Sequence, residues 1–343
     1  MAQINKSSEY FNTITYTGNS STLSVTGVGF QPDWTWIKDR NSAGDDHALY
    51  DAVRGTTKRI RSNQTDAENT ESAGLTSFDS DGFTVGTNGA SNGDGEPFVA
   101  WNWLGANGTA SNTDGSITST VSANTTSGFS IVSYTGTGAN ATIGHGLSSV
   151  PKTIIIKNRS TLDSWMVYHV GAGSNAYFHL ETTNGALSPS TAQFQATTPT
   201  SSVFYVGTSD GTNKSSSNMI AYCFAEKKGF SKFGTYTGNG NNANGAFVYT
   251  GFKPAFVIFK RTNDTGNWQL LDNKRLGYNP LNYTLYPNTS LADQDEGDIY
   301  LYSNGFQLRG TGTDGNGSGS TYIYMAFAES PLVGTNNIPA TAR

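Results

Sequence analysis

Cysteine is nearly absent from this 343-residue sequence. Cys223 is the only one, which excludes an intramolecular disulfide and a zinc site of the Cys-rich type. Charge is scarce too, at 14% Asp, Glu, Lys and Arg, where an ordinary soluble protein carries roughly a quarter. Net charge is −5 and the densest basic stretch is Lys58-Arg-Ile-Arg61. That is too little to neutralise a run of phosphates, so no nucleic acid is expected as a partner. No stretch approaches the ~18 apolar residues of a membrane-crossing helix, so no membrane insertion is expected. The opening Met-Ala-Gln-Ile-Asn-Lys has no apolar leader, and the expectation is synthesis and folding in a cytoplasm.

Glycine is abundant, at 40 residues, and Ser, Thr and Asn fill most other polar positions. Such a surface is wet but weakly charged, which suits turn-rich β proteins and proteins that pack against other subunits. The length points to two or three domains, and internal repetition decides between them. Tyr16-Thr-Gly, Tyr134-Thr-Gly and Tyr236-Thr-Gly each open a unit. A Pro-led apolar run ending in Lys follows: Pro32 to Lys38, Pro151 to Lys157 and Pro254 to Lys260. Next come His47-Ala-Leu-Tyr-Asp51, Trp165-Met-Val-Tyr-His169 and Trp268-Gln-Leu-Leu-Asp272. Each unit closes on an aromatic run that ends at Trp103, Phe224 or Phe327.

The runs are short, rich in β-branched and aromatic residues, and punctuated by Asp-Gly and Asn-Gly pairs, as in hairpins. Asp81-Gly82 and Asn304-Gly305 occupy matching positions, and Ser202-Val203 stands there in the second unit. No segment reads as a helix. The expected fold is all-β, with three tandem antiparallel β-sandwich or jelly-roll-like units; a closed barrel is the alternative. Expected boundaries are 1–105, a Ser/Thr/Asn/Gly-rich spacer at 106–127, then 128–226, 227–329 and a tail at 330–343. The spacer predicts a hinge at the first unit, whereas the second and third should abut. Ile117 to Val121 has the character of an added edge strand.

Asn12-Thr-Ile-Thr-Tyr-Thr-Gly18, Gly27-Val-Gly-Phe-Gln-Pro32, Ser77-Phe-Asp-Ser-Asp-Gly-Phe83 and Val99-Ala-Trp-Asn-Trp103 resemble an uncharacterised β domain family. That family occurs in structural and tail-fibre-like proteins of marine bacteriophages, cyanophages included. Similar patterns recur in Val121 to Gly136 and in Gly229 to Gly240, so the resemblance spans nearly the whole chain. It implies a virion surface address and no particular mechanism.

Chemical motifs are weak. Gly310-Thr-Gly-Thr-Asp-Gly315 matches GxGxxG but has no helix to offer a phosphate. Gly89-Ala-Ser-Asn-Gly93 matches GxSxG without the strand–turn–helix of a nucleophile elbow. Asp79-Ser-Asp81-Gly offers oxygen ligands for Ca²⁺, yet reads better as a hairpin turn. Cys223, in an apolar run, reads as a core residue, and His145, in Gly-His-Gly, as a turn residue. The repeated Lys38 and Lys260 are expected to pair with Asp51 and Asp272, with His169 in the acid's place in the second unit.

The loops containing Asn92 and Asp94, Asp210 and Asn213, and Asp314 and Asn316 correspond across the units. They are the candidate contacts for glycans or neighbouring subunits. The expected function is that of a non-enzymatic virion surface protein, a tail fibre, knob or capsid decoration, with neither cofactor nor metal. Its partners would be other virion proteins and copies of itself, a trimer among the options. A glycan-binding host adhesin is the alternative, and a polysaccharide-active enzyme the third reading.

Overall fold

Burial alternates residue by residue along Phe11–Thr17 and Ser231–Thr237, as in a strand with one face on a core. Trp34–Asp39, Pro151–Asn158 and Phe252–Arg261 are buried almost throughout, which requires protein on both faces. The computed structural model describes residues 3–333, apart from the side chains of residues 296–298. Over that range the protein is all-β with several antiparallel sheets, and its helices are single turns such as Gly89–Asn92, Thr191–Phe194 and Asp210–Asn213.

One strand order occurs three times. Phe11–Thr17, Pro97–Trp103, Trp34–Asp39 and Ala48–Asp51 lie side by side in that sequence. Phe129–Thr135, Asn218–Ala225, Pro151–Asn158 and Met166–His169 repeat it, as do Ser231–Thr237, Thr321–Pro331, Phe252–Arg261 and Gln269–Asp272. Registers correspond as well: Trp34 lies opposite Trp103, Thr153 opposite Phe224 and Phe256 opposite Phe327. A smaller outer sheet covers one face of each inner sheet. It includes the antiparallel pair Leu23–Thr26 with Gly82–Val85, Ala141–Gly144 with Val203–Val206, or Phe247–Tyr249 with Gly305–Leu308. Each pair of layers encloses its own apolar cluster around Phe83, Phe204 or Phe306.

Glycine is required where these paired strands draw close. A Cβ at Gly82 would lie 1.9 Å from the Val25 carbonyl oxygen, and one at Gly305 2.1 Å from that of Val248. In the second repeat Val203 takes this place and the glycine sits across the ladder, as Gly144.

The opposite faces of the three inner sheets converge on one shared core. Alternation sorts the side chains: Trp34 and Trp36 point to the shared core, while Ile37 points to the local one. Trp103, Phe224 and Phe327, the residues that close the three repeats, meet there. Their ring centroids are 6.3 Å (Trp103–Phe224), 5.9 Å (Phe224–Phe327) and 5.7 Å (Trp103–Phe327) apart. Phe11 of the first repeat stacks on Phe327 of the third at 5.1 Å, and Trp34 on Tyr222 of the second at 4.3 Å. Full burial of each such ring contributes roughly 1.5–3 kcal/mol, so no repeat could leave the others without exposing a large apolar face.

Two expectations change here. The segment at 106–127, expected as a spacer with an edge strand at Ile117 to Val121, supplies two strands: Ala110–Asn112 and Ser119–Asn124 extend the second inner sheet beside Phe129–Thr135. Ser122 Oγ donates to Asp33 of the first repeat at 3.3 Å. With this lashing and the shared core, the first repeat has no free hinge. At the far end the last strand runs past residue 329, where Ser330 and Pro331 lie opposite Lys253 and Phe252. The rest of the expected tail, 334–343, falls outside the described residues.

Trp103→Ala is expected to lower stability by about 3–5 kcal/mol. Because the lost ring touches all three repeats, denaturation followed by tryptophan fluorescence and by far-ultraviolet circular dichroism should shift together. Transitions that separate would contradict the shared core.

Candidate functional site

Corresponding positions in the repeats carry the contacts between them. Trp165 Nε1 donates to the Arg61 carbonyl at 2.9 Å, and Trp268 Nε1 to the His179 carbonyl at 3.0 Å. Their counterpart in the first repeat is His47, whose Nε2 lies 3.0 Å from the Tyr286 carbonyl. Its Nδ1 accepts from Trp36 Nε1 at 2.9 Å, which fixes the proton on Nε2. The second repeat thus grips the first, the third grips the second, and the first grips the third. A backbone set closes the same way: Glu68 N to Arg159 O at 3.0 Å, Ala186 N to Thr262 O at 2.8 Å, and Asp293 N to Arg40 O at 2.8 Å. This is a head-to-tail contact closed into a ring within one chain.

Asp51, His169 and Asp272 form another corresponding set. Asp51 accepts from Tyr222 Oη of the second repeat at 2.7 Å, and Asp272 from Trp101 Nε1 of the first at 3.0 Å. The third repeat has Met325 at the position of Tyr222 and Trp101, and a thioether donates nothing. A carboxylate facing it would be buried without a side-chain donor from the neighbouring repeat. His169 instead donates Nε2–H to the Tyr324 carbonyl at 3.0 Å. The two acids are also paired locally, Asp51 with Arg54 and Asp272 with Arg275, which replaces the expected pairing with Lys38 and Lys260. Position three after His169 is Ala172, so acid and arginine disappear together.

The lysines are held by carbonyl oxygens. Lys38 Nζ donates to Asp39 at 2.6 Å and Ser42 at 3.1 Å. Lys157 reaches Thr65 of the first repeat at 2.7 Å, and Lys260 reaches Thr183 of the second at 2.8 Å. Burial pushes Lys157 and Lys260 down to about 8, because no carboxylate touches either ammonium to offset desolvation. Lys157 and Lys260 pin a loop of the preceding repeat, whereas Lys38 holds a loop of its own.

The candidate loop residues divide by burial. Asn92, Asn213 and Asn316 are at most 1% exposed, so the expected surface role is corrected for all three. Each side-chain oxygen accepts a backbone N–H, from Asn19 at 2.9 Å, Thr137 at 2.8 Å or Asn239 at 3.0 Å. Each side-chain nitrogen donates to the carbonyl six residues earlier, Gly86, Gly207 or Gly310, at 2.6–2.8 Å. They are staples joining two loops. Asp94 and Asp210 are exposed, the latter 3.0 Å from Lys214.

Other motif residues also serve local structure. Asp81 accepts from Gly27 N at 3.0 Å and Gly29 N at 2.7 Å, and Asp79 from Thr84 Oγ1 at 2.7 Å, as hairpin residues do. Ser91 is fully buried in the turn Gly89–Asn92. Buried His145 accepts from Leu147 N at 3.2 Å, and burial pushes the Cys223 thiol up. Among the described residues no group of three or more His, Cys, Asp or Glu could hold a metal ion, and no helix is long and apolar enough to cross a membrane.

One place departs from the repeat. In the third repeat a cleft of about 310 Å³ opens between the layers, bordered by Phe259 and Leu271 and by the polar Gln269, Arg309 and Asp314. The GxGxxG segment forms its rim as a strand-to-strand loop. Sequence columns explain the opening. Leu271 replaces the buried Tyr50 and Tyr168, and Gln269 replaces Ala48 and Met166, which sit in the apolar clusters of their repeats. The second repeat fills this region further with Phe194, 5.9 Å from Tyr168. Asp314 Oδ2 accepts from Asn267 N at 3.0 Å, which holds the carboxylate at the edge. Beside the cleft, Arg309 lies 4.7 Å over the Tyr300 ring. Gln269 and Leu271 went unnoticed in the sequence, although the three aligned pentapeptides contain the signal.

The chain belongs to the family described as a domain of unknown function (DUF7483), which matches residues 6–331. No curated protein and no solved structure matches it.

Burial pushes His169 down to about 4 and His47 down to about 3, the latter helped by nearby Lys38. An unfolded histidine binds its proton near pH 6.5, so below that pH the unfolded state takes up protons that the native state refuses. Stability is therefore complete above pH 6.5 and falls by about 1.4 kcal/mol per pH unit per histidine as pH drops toward 4. Urea titrations between pH 7 and 4.5 should show this slope, reduced in His169→Gln by the share of one histidine, with buried His145 also shifted down and contributing; a flat profile contradicts neutral buried histidines. His169→Asp, which faces Met325 with no side-chain donor and has no arginine at position 172 to pair with, should cost about 3–5 kcal/mol at pH 7.

Proposed function

We propose that the chain is a non-enzymatic structural protein of a bacteriophage particle surface, a fibre, knob or capsid decoration. Each repeat is read as a β-sandwich of jelly-roll character, with cores spanning residues 1–105, 128–226 and 227–329. One observation carries the reading: corresponding residues of three unlike repeats close a ring inside a single chain. Such a chain does the work of a trimer without needing two further copies, and it presents a threefold-like body to threefold or pseudo-threefold neighbours. Its ionisable side chains near the repeat junctions are engaged in scaffold contacts, which favours a building block over a catalyst. The weakly charged surface and the resemblance to phage structural proteins favour the same address. Other virion proteins are the proposed partners, and assembly occurs after synthesis in the host cytoplasm.

Gold-labelled antibody against the purified chain is expected to decorate intact particles at one defined location, on head or tail. Labelling that appears only after particles are disrupted, or only in unassembled lysate, would rule the reading out. Light scattering of the purified chain should give the mass of one copy; a stable trimer would mean that ring closure within the chain does not replace oligomerisation.

A further inference from the structure

The third repeat is unlike the other two on its outside as well as inside its cleft. Among the described residues, seven large hydrophobic side chains are exposed, and six of them lie between Phe247 and Val333. Phe247 and Tyr249 are 48% and 59% exposed on the outer face of the third outer sheet. Strand register places them in rows with Tyr300 and Tyr302: Phe247 and Tyr300 both lie opposite Gln307, and Tyr249 and Tyr302 both lie opposite Gly305. Because Gly305 has no side chain, the Phe247 ring leans over it; an added Cβ would lie 3.0 Å from that ring. Tyr300 and Tyr302 are nearly parallel, with centroids 6.3 Å apart and 19° between planes. Arg309 joins this aromatic face to the cleft, since it lies over Tyr300 and also lines the opening.

Within the cleft, Gln269 is 7% exposed, and its side-chain amide has no hydrogen-bond partner among the described residues. A nearly buried amide facing a cavity is costly unless something in the cavity completes its bonds. Asp314 has one carboxylate oxygen committed to Asn267, which leaves the other to accept. Amide, carboxylate and guanidinium together offer donors and acceptors of both kinds, over walls made by Phe259 and Leu271. The acid and the base balance, so the cleft selects neither an anion nor a cation. Its volume is at the small end for small-molecule sites.

We propose that the cleft of the third repeat, with the Tyr300–Tyr302 face beside it, binds a neutral carbohydrate. A sugar ring has hydroxyls at its edge for Gln269, Asp314 and Arg309, and C–H faces that lie flat on tyrosine rings. The cleft takes one sugar unit and the aromatic face takes the next units of the chain. The first and second repeats cannot do the same, because Tyr50 and Tyr168 fill the corresponding space. This site goes beyond the particle-surface reading and does not depend on it.

Saturation-transfer NMR of the full chain tests the site, using glucose, galactose, N-acetylglucosamine and their short oligomers as probes. Transfer is expected from at least one series, stronger for the oligomer than for its monomer. Leu271→Tyr installs the residue that both other repeats carry at that position, and Gln269→Met the residue that the second repeat carries. Each should weaken binding at least about tenfold without lowering the melting temperature. Arg309→Ala, at the surface, provides the same readout if Leu271→Tyr does not fold. No transfer from any of these sugars overturns the proposal, as does binding that persists in folded Gln269→Met and Arg309→Ala. Particle labelling reads out separately, so loss of one conclusion leaves the other standing.

Discussion

Each inner sheet has two apolar faces and only one outer sheet to cover it. That imbalance governs the rest of the molecule. The uncovered face can be buried only against another inner sheet, and three such faces meet where Trp103, Phe224 and Phe327 touch. Apolar burial is non-directional, so it brings the repeats together without fixing how they sit. The directional part comes from polar side chains at corresponding positions, each reaching the next repeat in the same sense. Trp165, Trp268 and His47 set the rotation, and the paired backbone bonds fix the register. The buried lysines then hold the loops in place.

Divergence between the repeats follows the same physics. A buried acid is tolerable only opposite a donor, so Asp51 and Asp272 face Tyr222 and Trp101, whereas His169 faces a repeat that offers Met325 and a carbonyl. In the local cores, tyrosine fills the space beneath the outer sheet in two repeats. In the third, Leu271 and Gln269 leave it open and polar. A packed interior resists such voids, since lost contacts destabilise, and a glutamine amide that protein groups leave unpaired lines this one. That cleft, beside an aromatic face that includes exposed Phe247 and Tyr249, is the departure from the repeat on which the carbohydrate proposal rests.

Much of the scaffold is legible in the sequence because its landmarks recur at matched offsets. The Tyr-Thr-Gly openings, the Lys-ended strands and the closing aromatics all fall on corresponding strands. What was hidden depended on faces rather than runs. A strand such as Trp34–Asp39 reads as apolar whichever partners its two faces meet, so the shared core left no separate signal. Lys38 and Asp51 look like neighbours in the linear pattern, yet the hairpin places Asp51 opposite Trp34, four residues or about 13 Å of strand away from Lys38. Asn92, Asn213 and Asn316 were legible as equivalent but not as buried, because polar composition in a loop suggests solvent. The cleft residues were visible only as columns of the repeat, where a loss of bulk and a gain of polarity coincide.

Cooperativity is the property that separates one shared core from three linked modules. A chain of this length ordinarily unfolds domain by domain, and independent modules would do so in separate steps. Scanning calorimetry of the intact chain is predicted to give a single transition whose calorimetric and van't Hoff enthalpies agree. Resolved transitions, or a van't Hoff enthalpy near one third of the calorimetric value, would mean that the three inner sheets do not depend on one another.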